Sequence, residues 1–204
     1  MAQRSLKEAG VAVRLPETDF VELGDGEKCS GYFDDRDPQD GVVFACATGR
    51  DYTKWFPIFV HEFCHFEQWK ERPEWWNSLK FNGEEGLDVV LRYWSGRAAL
   101  SPTEVVYYCM TSAGCEADCE RRTLSKIRQH GLPIDAAKYA KEANSYITFY
   151  YAMPELKSWY KKKRPYEIEE VINLMPEHLD LEPLDYWRLA TKAMRFFRRH
   201  AIGD

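Results

Sequence analysis

Apolar residues recur at two different spacings along this chain, and the change from one to the other divides it. The first twenty residues are weakly patterned and are consistent with a short helix followed by an extended piece. Phe20-Val21-Glu22-Leu23 then runs into the turn former Gly24-Asp25-Gly26. Lys28–Phe33 and Gly41–Ala47 read as strands, separated by the Asp-rich segment Asp34–Gly41. They form a hairpin or two neighbouring antiparallel strands. After Thr48-Gly49 the pattern becomes helical. Pro57–Glu71 has no glycine, stops before Pro73 and carries Phe59, Val60, Phe63, Cys64, Phe66 and Trp69, enough to bury a helix on most sides. Residues 72–84 predict a loop or short helix, and 85–98 another short helix weakened by Gly86 and Gly96. Ser101-Pro102-Thr103-Glu104 is a capping sequence, and the helix it opens should reach about His130, with Gly114 a place to bend. A further helix begins at Asp135 and ends near Ala152. Prolines 154, 165, 176 and 183 separate helices near 155–163, 166–175 and 184–200. The class is α+β, with a small antiparallel sheet and a mostly helical C-terminal half. The 204 residues fit a single domain, with a core over 1–132 and a helical part, 133–204, packed on it.

The long central helix carries the sharpest chemical signal. His61-Glu62-Phe63-Cys64-His65 reads H-E-x-x-H. Residues four apart share one helical face, so both imidazoles can aim at one zinc ion. Glu62 then sits beside the metal, where its carboxylate suits a general base. A buried histidine pair without partners is costly, and a metal removes that cost.

A zinc site needs a third protein ligand. Position 71, six residues past His65, is glutamate, which excludes the metzincin arrangement. His130, His178 and His200 lie at predicted helix ends or near prolines. Glu116 and Glu120 are better placed. They stand four apart on a stripe that also holds Val105, Cys109, Ser112, Thr123 and Ile127. Two carboxylates in such a stripe repel and lose hydration unless a cation or a donor meets them. Glu116 is assigned as the third ligand and Glu120 as the acceptor for the N–H of a liganding histidine. The exchanged assignment stays open, because spacing treats the pair nearly alike. Cys115 and Cys119, four apart, lack C-x-x-C spacing and read as small packing residues, with metal or redox use the lesser option.

The hairpin, the His61-Glu62-x-x-His65 helix and the later Glu116-x-x-x-Glu120 helix resemble the gluzincin clan of zinc metallopeptidases. The compact arrangement is similar to minimal cytosolic ImmA/IrrE-like and SprT-like zincins. Glu116-Ala-Asp-Cys-Glu-Arg, with Ala143-Asn-Ser-Tyr146 and Phe149-Tyr150 downstream, also resembles uncharacterised phage and bacterial zincin-like proteins. The resemblance covers roughly residues 28–160. It implies a zincin-like core, a glutamate as third zinc ligand with an acidic residue four later bonding a histidine, peptide or protein substrates, and a tyrosine donor near the oxyanion, for which Tyr146 is the candidate.

Charge and composition narrow the partners. A net charge of −5 gives the whole chain no nucleic-acid footprint. The basic runs Lys161–Arg164 and Arg195–His200 read as solvated helix faces, with nucleic-acid or acidic-protein binding the lesser option for the second, whose aromatics are interleaved. No stretch reaches the length of a membrane span, and the N-terminus lacks an apolar signal core, so the chain is expected in the cytoplasm, that of the host if phage-encoded. The six cysteines are then expected reduced. The leading expectation is peptide-bond hydrolysis through a zinc-activated water. The alternatives are a partner-binding protein with a structural zinc and a zinc hydrolase of a non-peptide amide.

Overall fold

The computed structural model describes residues 2–23, 26, 28–37 and 39–203. It is α+β and 60% helical, with small sheets and a helical C-terminal half. The chain divides into two compact units. One comprises residues up to Pro73 together with Ser125–Ile134, the other Glu74–Leu124 with the chain from Asp135 onward. No helix among the described residues is long and apolar enough to cross a membrane.

The first unit opens with α1 (Ala2–Glu8) and β1 (Ala12–Arg14), as the sequence pattern suggested. β2 (Val21–Glu22) and β3 (Lys28–Cys29) form a two-stranded ribbon. β4 (Gly31–Asp37) and β5 (Gly41–Cys46) are the expected antiparallel hairpin, with Phe33 opposite Phe44. The sheet is not wholly antiparallel. Its order is β1-β5-β4, and β1 runs parallel to β5, with Val13 opposite Phe44. No local turn joins β1 to β5, so no short-range pattern marks that pairing. β5 is the central strand and is buried on both faces. Phe44 and Cys46 face one cluster, Val43 and Ala45 another, which is why the strand reads as an unbroken apolar run. The turn expected over Asp34–Gly41 is shorter than predicted, because β4 continues to Asp37. The Asp34 carboxylate accepts from Arg36 N–H, and Asp37 accepts from the N–H groups of Gln39 and Asp40. These aspartates therefore serve an irregular strand end as well as the turn.

Helix α2 (Tyr52–Glu71) lies on the sheet and starts five residues earlier than Pro57 predicted. Asp51 caps it, accepting from Thr53 N–H at 3.0 Å. Pro57 falls in the second turn, where its ring forfeits only one early backbone bond. Phe66, Phe63, Phe59 and Trp69 of α2 pack with Phe33, Phe44 and Leu6.

The second unit begins with α3 (Pro73–Ser78), followed by a hairpin of β6 (Lys80–Phe81) and β7 (Glu84–Glu85) where the pattern gave only a loop or short helix. Asn82 and Gly83 both take positive φ, 51° and 86°, the backbone that a two-residue hairpin turn requires. α4 (Gly86–Trp94) leads to α5 (Pro102–Gln129), whose capping box joins Ser101 and Glu104 in both directions. α5 is one continuous helix whose last residues, from Ser125, belong to the first unit. There Lys126 pairs with Glu67 of α2 at 2.8 Å.

α6 (Ala136–Leu156) is capped by Asp135 and runs through Pro154, four residues past the expected end. Almost every side chain from Ala143 to Met153 is buried, against α8 (Pro183–Phe196) and the short α7 (Glu169–Ile172). That burial holds the helix together past the proline. The helix expected over 155–163 does not form. Lys157 adopts the left-handed conformation and ends α6. The helix expected over 166–175 is shorter, with a 3₁₀ turn at Pro165–Glu167 before it, whereas the one expected over 184–200 forms as α8 and continues directly into a π-helical turn at Phe197–Ile202.

Candidate metal centre

His61 and His65 are brought together on α2 as their spacing requires. Their Nε2 atoms lie 3.1 Å apart, with ring centroids at 4.7 Å and rings nearly perpendicular. Two nitrogens each about 2.0–2.1 Å from a tetrahedral zinc would lie about 3.3–3.4 Å apart. The pair is thus set for a shared ion with an adjustment of a few tenths of an ångström. The His65 ring is oriented by a residue that the sequence reading missed. Gln68, fully buried on the same helix, has its Oε1 2.8 Å from His65 Nδ1. A carbonyl oxygen there takes the Nδ1 proton, which leaves the Nε2 lone pair aimed at His61.

Glu62 is 9% exposed and stands beside the edge strand β4. A Cβ added at Gly31 would fall 3.3 Å from Glu62 Cγ and 2.8 Å from Ile58 Cγ2. Glycine at that position therefore lets β4 pass close to α2. Cys46, in the adjacent strand, is buried, and its thiol is pushed up to about 12 by that burial and then by the Glu62 charge. It stays a neutral packing residue.

The second unit carries the acidic donors. Val105, Cys109, Ser112, Thr123 and Ile127 of α5 are all buried, as the stripe predicted. Glu120 is 7% exposed and Glu116 half-buried on the same helix. Tyr150 donates to Tyr146 Oη at 2.9 Å and lies 3.4 Å from Glu116 Oε1. Tyr139 donates to Glu120 Oε2 in a short hydrogen bond. Burial, followed by neighbouring negative charge or phenol, holds the pKa of all three tyrosines well above the ordinary phenol value, so they are neutral donors. Asp118 turns to another side of the helix and pairs with Arg122 at 2.9 Å.

The chain matches no protein family, no curated protein and no solved structure. Its own geometry is what remains. Among the described residues, His61 and His65 of the first unit can each offer a metal-ligand atom, and so can Glu116, Cys119 and Glu120 of the second. His130 and His178 are exposed, and His200 is engaged with Glu170 at 3.0 Å. The sequence favours a packing role for Cys119 over a metal or redox one. The residue is fully buried, yet its sulfur is also a possible donor. Gln68 had a local signal, since it stands three residues after His65. Tyr139 had none, because its tie to Glu120 joins two separate helices.

Proposed function

We propose that this protein is a zinc-dependent metallopeptidase in which His61, His65 and Glu116 hold one zinc ion. The observation that carries the reading is the His61–His65 pair, with Nε2 atoms 3.1 Å apart and His65 fixed by Gln68. Two imidazoles and one carboxylate are the donor set of an open zinc site. Bound zinc supplies a Lewis acid for a peptide carbonyl and makes water acidic near neutral pH. Glu62 accepts the proton of the attacking water and returns it to the leaving amine nitrogen. Glu120, held by Tyr139, supports a liganding histidine. The Tyr146 hydroxyl accepts from Tyr150, so its own proton is left for the substrate oxyanion. An extended peptide alongside β4 would pass the base.

The direct test is digestion of a proteome-derived peptide mixture by zinc-loaded protein, read by mass spectrometry with and without chelator. New termini that appear only without chelator support the peptidase. Cys119 favours a second reading, a structural zinc staple, because it is a possible sulfur ligand and thiolate ligands are typical of closed structural zinc sites. Zinc X-ray absorption distinguishes the two. A sulfur neighbour near 2.3 Å points to the staple, and only nitrogen and oxygen near 2.0 Å point to the peptidase.

The roles of the two glutamates are separable. Glu116→Ala is expected to release zinc to a chelator more readily than Glu120→Ala, whose loss should weaken metal binding about 10–100-fold. Asp118→Ala, which removes the Arg122 ion pair, should keep the metal. Metal loss in Glu120→Ala with retention in Glu116→Ala would exchange the two assignments.

A further inference from the structure

The two basic runs distant in sequence, Lys161–Arg164 and Arg195–His200, form one surface. The first run is not a helix. Its backbone is tied to the C-terminal segment, with Lys161 and Lys162 N–H donating to Ala201 C=O at 2.6 and 3.0 Å and Lys163 N–H to His200 C=O at 3.1 Å. A Cβ on Gly203 would fall 2.7 Å from Lys162 Cε, so the lysine side chain lies over the chain end. Residues 155–170 and 195–203 together hold eight lysines and arginines against four glutamates, in a protein whose formal charge is −5. Glu155 is taken by Arg198, and Glu170 by Arg199 and His200. Lys157, Lys161, Lys162, Lys163 and Arg195 are exposed and have no ion-pair partner among the described residues. Holding these cations together costs self-repulsion that an anionic partner would relieve.

Two features favour a nucleic acid over a membrane. No large apolar side chain stands exposed in either segment; the nearest in sequence, Leu174, Leu184 and Trp187, lie outside them. A membrane-surface element needs such side chains to insert. The basic surface also contains an aromatic ring flanked by two cations. The guanidinium groups of Arg195 and Arg199 lie 4.5 and 5.6 Å from the Phe196 ring centre, a face suited to unstacked bases.

We propose that this joined surface binds single-stranded nucleic acid, its lysines on the phosphates and its Arg195–Phe196–Arg199 cluster against bases. The site is independent of the proposed zinc chemistry and stands or falls without it. The test is fluorescence anisotropy of the full chain with a labelled single strand of about 16 nucleotides. Four lysine–phosphate contacts predict a log–log salt slope of about −2.8, which is about a 50-fold loss of affinity between about 50 and 200 mM salt. Lys161→Glu/Lys163→Glu/Arg195→Glu should bind at least about tenfold more weakly. Lys7→Glu/Lys54→Glu/Arg128→Glu makes the same charge change at exposed positions outside these segments and should bind like the parent. Should the first triple variant fail to fold, Lys161→Gln/Lys163→Gln removes charge without reversing it and should still weaken binding. Absence of binding at the lowest salt, or equal loss in both triple variants, overturns the proposal. So does capture by phosphatidylserine vesicles, or by poly-glutamate, with none by the oligonucleotide.

Discussion

Alanine in place of His61 or His65 is expected to strip the purified protein of its zinc, about one ion per chain, and to lower its melting temperature. The Nε2 atoms stand 3.1 Å apart on one helix, so neither imidazole has a substitute from the next turn. A metal that binds only the folded state at about 1,000 times its dissociation constant adds about 4 kcal/mol. For a chain of this size that is about 8–16 °C in melting temperature. Metal analysis and thermal melts of parent, chelated parent and both variants measure it. The chelated parent should melt close to the variants, since what they share is the missing ion. Gln68→Ala belongs between them, because His65 keeps its nitrogen but loses the acceptor that orients it; affinity should fall about 10–100-fold. Full zinc in both histidine variants would remove the site from consideration.

The parts of this site that were legible in the sequence are those set by one helix. His61 and His65 face together, and Val105, Cys109, Ser112, Thr123 and Ile127 are buried, because the 3.6-residue repeat alone fixes those faces. Helix starts with a side-chain cap were equally legible, as at Ser101 and Asp135. Where the reading failed, tertiary contacts overrode local signals. Pro57 and Pro154 look like boundaries, yet both lie inside helices whose apolar sides are packed. The 155–163 segment has a helical composition, but the carbonyls of His200 and Ala201 take its N–H groups. The parallel β1–β5 pairing and the Tyr139–Glu120 bond are long-range and leave no local trace. Asn82-Gly83 is different. Its sequence is itself a hairpin signal, local and legible, and the positive φ at both residues is what that signal encodes.

Glu62→Gln is expected to leave zinc content unchanged while lowering peptide hydrolysis about 10²–10⁴-fold. In the proposed site Glu62 serves as the base and not as a ligand, so the amide should spare the metal. The amide has nearly the size of the carboxylate, which matters because the side chain is buried and faces the space left by Gly31. What the substitution removes is the site that takes the proton from water. A fall of this size corresponds to about 2.7–5.4 kcal/mol of lost transition-state stabilisation. It should appear in kcat, with KM little changed, since proton transfer belongs to the transition state rather than to substrate binding. Loss of zinc together with activity would instead make Glu62 part of the metal's support. Unchanged turnover at full zinc would reject it as the base and move the search to Glu120, the other buried carboxylate of the proposed site.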